Sequence, residues 1–142
     1  MIAVASDHGG FELKNAIIKH LTEKGMETTD FGAYSTESCD YPDYGHPAAS
    51  AVANGEFDFG ILVCGTGIGM CITANKTPGI RAALCGDCFS AQATREHNNA
   101  NILCLGARVT GEGLALKIVD TFLETPFSND ERHIRRISKI EG

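Results

Sequence analysis

A cysteine opens the run Cys64-Gly65-Thr66-Gly67-Ile68-Gly69. Alternating glycines directly before a helical stretch expose consecutive backbone N–H groups at a helix N-terminus, where the macrodipole also favours negative charge. Such a loop binds a phosphate, or steadies an oxyanion that develops during a reaction. Cys64 stands at its entrance. A thiolate is the form of cysteine that takes up a proton, and a helix N-terminus favours it. The plainer reading of the same residue is a buried cysteine that ends a strand.

Four further segments carry residues of related chemistry. Ser6-Asp7-His8-Gly9-Gly10 sets an acceptor beside a titratable imidazole, with glycines that let the backbone turn sharply and approach a ligand. A simple helix cap also accounts for Asp7. Arg95-Glu96-His97-Asn98-Asn99 falls in a helical stretch, where a lone histidine is more often structural. Gly106-Ala107-Arg108 puts a cation just past an apolar run. Near the C-terminus Arg132 and Arg136 stand four apart, so on a helix they project from one face. Paired guanidiniums suit a phosphate dianion through forked, charge-assisted bonds. Arg135 points elsewhere, into solvent, and a solvated basic face is the alternative for the whole cluster. An anion loop, a thiol, histidines and arginines together suit a phosphorylated substrate and proton transfer.

The elements that must position these residues alternate along the chain. Short apolar runs with β-branched residues occur at Ile2–Ala5, Gly60–Val63, Ile80–Leu84 and Ile102–Leu105, with a weaker one near Glu27–Phe31. Between them, Phe11–Lys24 places Leu13, Ile17 and Leu21 on one helical face, with Glu12, Lys14, Lys19 and Glu23 elsewhere on its surface and Gly25 as its terminator. Glu112–Leu123 repeats the spacing with Leu114, Ile118 and Phe122 before Pro126, and a last helix is expected over Asn129–Ile140. Near-continuous apolar strands separated by amphipathic helices predict one doubly wound, Rossmann-like α/β domain over residues 1–142: a five-stranded parallel sheet with helices on both faces. Ligands of such sheets bind beyond the carboxyl ends of the strands. The glycine-rich and reactive segments follow the strands, as that rule requires.

Composition narrows the function. A formal net charge of −6 argues against general affinity for nucleic acid or anionic lipid. No apolar run approaches the ~18 residues of a membrane span. Polar Ser6-Asp7-His8 follow the first residues at once, so no secretory signal is expected and the cytoplasm is the expected compartment. Six cysteines, most beside apolar runs, read as free thiols in a reducing setting. Cys85-Gly86-Asp87-Cys88 has redox spacing, and with His97 it offers three ligands to zinc, but no recognisable fourth. A dinucleotide-binding module is the rival from another class. Gly65-x-Gly67 follows a strand and Asp87 lies about 20 residues on, yet position 70 is Met rather than glycine.

Asp7-His8-Gly9-Gly10, Asp40-Tyr41-Pro42, the Cys64–Gly69 loop with Ala74-Asn75-Lys76, Arg95-Glu96-His97-Asn98, Gly106-Ala107-Arg108 and Arg132-His133-x-x-Arg136 occur in one order and spacing. As a set, across essentially the whole chain, they resemble the ribose-5-phosphate isomerase B family, whose superfamily includes the subunits of galactose-6-phosphate isomerase. Some relatives lack the loop cysteine; this chain resembles the cysteine branch.

The resemblance implies an aldose–ketose isomerase of ribose 5-phosphate in pentose phosphate metabolism. Cys64 is then the base at C2, and His97, helped by Asp7, opens the sugar ring. Gly65, Thr66, Gly67, Ile68 and Gly69 hold the enediolate. His8, Arg132 and Arg136 hold the phosphate with Arg108 nearby, and Tyr41 and Asn98 line the sugar. It implies no metal or organic cofactor, and a homodimer or dimer of dimers with sites shared between subunits. Allose 6-phosphate and galactose 6-phosphate stay open as alternative substrates.

Overall fold

A computed structural model describes all 142 residues. Five strands, β1 (Ile2–Ser6), β2 (Thr28–Asp30), β3 (Phe59–Cys64), β4 (Ala82–Leu84) and β5 (Ile102–Gly106), form one sheet in the order β2-β1-β3-β5-β4, every pairing parallel. Six helices alternate with and follow them: α1 (Phe11–Glu23), α2 (Pro42–Ala53), α3 (Ile68–Asn75), α4 (Cys88–Asn98), α5 (Glu112–Glu124) and α6 (Glu131–Glu141). The expected doubly wound sheet is present. No helix is long and apolar enough to cross a membrane.

Strand order and handedness decide which helix covers which face. The chain steps one way from β1 to β2, the other way through β3 to β4, then back to β5. Right-handed crossovers therefore put α1 and α4 on one face and α2 and α3 on the other, and α5, after the last strand, packs beside α1 and α4. The two cores divide accordingly. Ile2, Val4, Ile61, Val63, Leu103 and Leu105 pack with Leu13, Ile17, Leu21, Ile118 and Phe122, whereas Ala3, Ala5, Leu62, Cys64 and Cys104 pack with Ala48, Ala49, Val52, Met70 and Ala74. Alternate residues of one strand feed opposite layers, which is why the strands read as unbroken apolar runs.

α1 ends as expected. Gly25 N–H bonds the Thr22 carbonyl (3.0 Å) and Met26 N–H bonds the Leu21 carbonyl (2.9 Å), the paired closure of a Schellman motif. Lys14, expected on the surface, is fully buried. The turn beside Leu13 and Ile17 faces the end of β2, where Asp30 takes the ammonium at 2.9 and 3.1 Å and the Ala33 carbonyl accepts a further bond. The Phe11 and Tyr34 rings close over it at 5.1 and 5.4 Å. Periodicity could not show an acidic residue waiting on another element.

Boundaries shift modestly. Cys64 is the last residue of β3 rather than the first of a loop, and β4 starts at Ala82 rather than Ile80. α6 starts at Glu131, with the Asp130 carboxylate accepting the Arg132 N–H (2.9 Å) as its cap. α2 went unpredicted because Pro42 and Pro47 interrupt the pattern and its buried face is Gly45, Ala48, Ala49, Ala51 and Val52, too small to register as a stripe.

Candidate active site

β3 is the central strand, and its connection departs toward α3, while those of its neighbours β1 and β5 depart toward α1 and α5 on the other face. The loops diverge on both sides of the Cys64 end, which opens a crevice there. A cleft of about 420 Å³ occupies it, lined by Asp7, Tyr41, Cys64, Gly65, Thr66, Ile68, Gly69, Ile72 and Arg108. Cys64 is 5% exposed, and the Gly67 N–H donates to its Sγ at 3.1 Å. That bond depends on Gly67 being left-handed (φ 79°), which turns its amide back toward the sulfur as it caps α3. Cys64 is thus buried and ends a strand, as the plainer reading has it, and it also stands at the head of the glycine-rich loop.

The neighbours are placed by their own short-range bonds. Asp7 is nearly buried, and its Oδ1 accepts the Gly10 N–H (3.0 Å) ahead of α1. Thr66 Oγ1 accepts the Ile68 N–H (3.3 Å), so its hydroxyl hydrogen remains available to the cleft. The amides of Gly69 and Met70, in the first turn of α3, have no carbonyl one turn back to bond. Arg108 donates its backbone N–H to the Gly65 carbonyl (2.9 Å), and its guanidinium, free of any carboxylate, lies over Gly65 and Gly9. His8 Nδ1 accepts the Cys39 N–H (3.2 Å), which leaves Nε2 to carry the hydrogen of the neutral ring. His8 flanks the cleft without lining it.

The remaining predicted residues lie elsewhere. His97, Asn98, Arg132 and Arg136 line a second cleft of about 400 Å³ with His133, Ile137 and Ile140. α4 runs antiparallel to the strands, so its last turn returns to their amino ends. There Arg81, just before β4, bonds the Asn98 carbonyl (2.8 Å), and Arg95 reaches the Ala100 carbonyl (2.7 Å) before β5. Arg95 also stacks on Phe59 and Phe122 and is structural. The ion pair of Arg81 with Glu141 (2.7 Å) fastens α6 to the same edge. A six-residue strand is about 20 Å long, so within one chain Cys64 and His97 stand at opposite ends of the sheet. The sequence reading had them acting on one substrate. Within a single chain they do not meet.

The chain has now shown a thiol at a glycine-rich loop and a separate histidine–arginine cleft on a 2-1-3-5-4 parallel sheet. Residues 2–140 match the family model described as Ribose/Galactose Isomerase. The chain belongs to that family. Ribose-5-phosphate isomerase B of Escherichia coli strain K12 is 49% identical over 139 residues, 98% of this chain and 93% of the relative. D-erythrulose-4-phosphate isomerase of Pectobacterium atrosepticum is 47% identical over 127 residues, covering 89% of this chain and 84% of its own. The solved structure of Clostridium thermocellum ribose-5-phosphate isomerase B superposes with a TM-score of 0.97 at 53% identity, covering 99% of this chain and 94% of that one.

The rival readings lose their residues in this ribose/galactose isomerase. Asp87 caps α4, accepting the Ser90 N–H (2.6 Å) and hydroxyl (3.1 Å), which accounts for its position at the helix start and holds its carboxyl below the usual range. Cys85 is buried, and burial with the Asp87 charge raises its thiol to about 11, the wrong direction for a redox nucleophile. No three His, Cys, Asp or Glu side chains converge as metal ligands. Four lining residues were missed: Ile72 in the first cleft, and His133, Ile137 and Ile140 in the second. Ile72, one turn after Ile68 on α3, lines the first cleft, and that i, i+4 pair was legible. His133 in the second cleft was quoted within a motif, but its burial was not legible.

Proposed function

We propose that the chain interconverts ribose 5-phosphate and ribulose 5-phosphate as an aldose–ketose isomerase, with Cys64 as the base. The observation that carries this is the Cys64 sulfur itself, set at the end of the central strand against the Gly67 N–H that caps α3 and opening into the first cleft. After ring opening by His97, the thiolate takes the C2 proton. The C2–H bond breaks, S–H forms, and the electron pair moves through C1 onto the aldehyde oxygen to give a cis-enediolate. The amides of Gly65–Gly69, the Thr66 hydroxyl and Arg108 oppose that charge. Movement of the hydroxyl proton from O2 to O1 and return of the sulfur-borne proton to C1 give the ketose.

A second copy of the chain completes the site. In a twofold dimer the His97, Asn98, Arg132 and Arg136 cleft of each copy faces the Cys64 cleft of the other, making two equal sites. Both rims offer apolar surface for this, Ile68 and Ile72 at one and Ile137 and Ile140 at the other. Arg132 and Arg136 then take the substrate phosphate with His8. Six free cysteines suit a reducing cytoplasm.

The test is cofactor-free conversion of ribose 5-phosphate with EDTA present, comparing the wild type with Cys64→Ala. Turnover is expected to fall by at least ~10²-fold, the lower end for losing a positioned acid–base group. Activity that survives moves the base to another residue. The competing substrates are six-carbon sugar phosphates and, given the relative named for D-erythrulose 4-phosphate, a four-carbon one. Running each at equal concentration ranks them by kcat/KM.

A further inference from the structure

His97 is exposed, and no hydrogen bond or ion pair holds its side chain. What lies against its ring is His133, with centroids 4.5 Å apart and planes tilted by 37°. An exposed imidazole on its own samples several rotamers, and a proton shuttle that must reach both the ring oxygen and the anomeric hydroxyl of a sugar loses rate for every misplaced one.

His133 is the opposite case. It is 7% exposed, and its Nδ1 stands 2.7 Å from Ser128 Oγ. Ser128 is itself held twice. Its N–H donates to the carbonyl of Glu96, the residue before His97 (3.2 Å), and its hydroxyl accepts the Asp130 N–H (3.1 Å). A hydroxyl keeps its hydrogen to donate even while it accepts, and donated to His133 Nδ1 that hydrogen would select the neutral ring protonated at Nε2. The groups around it are His97 from α4, Asp130 at the cap of α6, and Arg132 and Arg136 from α6. Burial first, then His97, Arg132 and Arg136, hold His133 below the ordinary imidazole value against the pull of Asp130. A neutral His133 adds no third cation beside the two arginines.

We propose that Ser128 and His133 are positioning residues for His97: the serine fixes the tautomer and plane of His133, and the stacked ring fixes His97 for ring opening. The proposal rests on the isomerase reading above. It separates two steps that turnover alone merges. Ribose 5-phosphate is a ring, whereas ribulose 5-phosphate has its O5 phosphorylated and cannot close one. Exchange of the C1 hydrogen of ribulose 5-phosphate with D2O therefore reads the Cys64 step without ring opening.

Ser128→Ala is expected to slow ribose 5-phosphate turnover about 10-fold, short of the 10²–10⁴ for losing the acid–base group itself, while exchange stays within about twofold of wild type. His133→Phe, which keeps a stacked ring, should retain more turnover than His133→Ala. Removing a bond that favours the neutral ring should also make His133 titrate at higher pH in Ser128→Ala, read by NMR without substrate, with the His97 ring resonances displaced. Equal losses of turnover and exchange would mean general distortion and overturn the proposal, as would unchanged turnover. A wild-type protein inactive on ribose 5-phosphate would sink the isomerase reading instead. The substrate-free titration then decides the positioning alone, and unchanged His97 and His133 resonances would overturn it.

Discussion

Gly69 lies so close to Tyr41 that a Cβ added to it would stand 2.6 Å from the ring's Cε1 and 2.7 Å from Cζ. Only a residue without a side chain lets the aromatic ring reach the anion loop. The obstacle is the far end of a partly exposed side chain, so Gly69→Ala can be accommodated by swinging the ring out of the cleft. Within the first turn of α3 the alanine also gains helix propensity. Stability and activity should therefore part: the urea midpoint unchanged or raised by up to ~0.5 kcal/mol equivalent, and kcat/KM lowered about tenfold because the sugar loses a wall. Urea titration and steady-state kinetics on one preparation check both, and a loss of stability that parallels the loss of activity would reject the argument. The Cys64 loop was readable at this scale because its residues are contiguous and glycine has few reasons to recur three times around a helix start. His133 and Ser128 were not, because their contacts join the start of α6 and the segment before it to the end of α4.

Lys14 and Asp30 show how one pair can fix the relation of two elements. The ammonium is fully buried at the α1–β2 junction, while the Asp30 side chain keeps 34% exposure. Asp30 also accepts the Gly32 N–H (2.8 Å), so the pair anchors the start of the segment that runs to Tyr41. The asymmetry in burial decides which mutation is worse. Asp30→Ala strands a buried charge and should cost about 3 kcal/mol, whereas Lys14→Met fills the same space with an apolar chain, leaves a carboxylate that water reaches, and should cost about 1 kcal/mol. Denaturant midpoints order the two, and Lys14→Met emerging as the more damaging would contradict this account. Strand and helix identities were legible wherever apolar residues were large and regularly spaced, as in α1 and β5. α2 was not, since its core face is alanine and glycine interrupted by proline, and neither was Lys14, whose partner belongs to another element.

At the scale of the molecule, the sheet puts about 20 Å between two clefts that the proposed mechanism joins: one with a thiol and a glycine-rich loop at the carboxyl ends of the strands, the other with a histidine and two arginines at the amino ends. Sequence listed the parts but carried no distances, so it could not say that one chain keeps them apart. Subunit complementation turns this separation into a decisive measurement. Cys64→Ala and His97→Asn are each expected to be nearly inactive alone, because in the proposed dimer every site of either homodimer carries one lesion. In a hybrid dimer the intact Cys64 cleft of the His97→Asn chain meets the intact His97 cleft of the Cys64→Ala chain, and both lesions fall in the other site. Random exchange makes half the dimers hybrid, each with one working site of two, so mixing equal amounts should restore about a quarter of wild-type turnover. If Cys64 and His97 of the same chain served one substrate, every chain would carry a lesion and mixing would restore nothing. Recovery near a quarter fixes the site as shared, and its absence in verified hybrids would confine the reaction to one cleft.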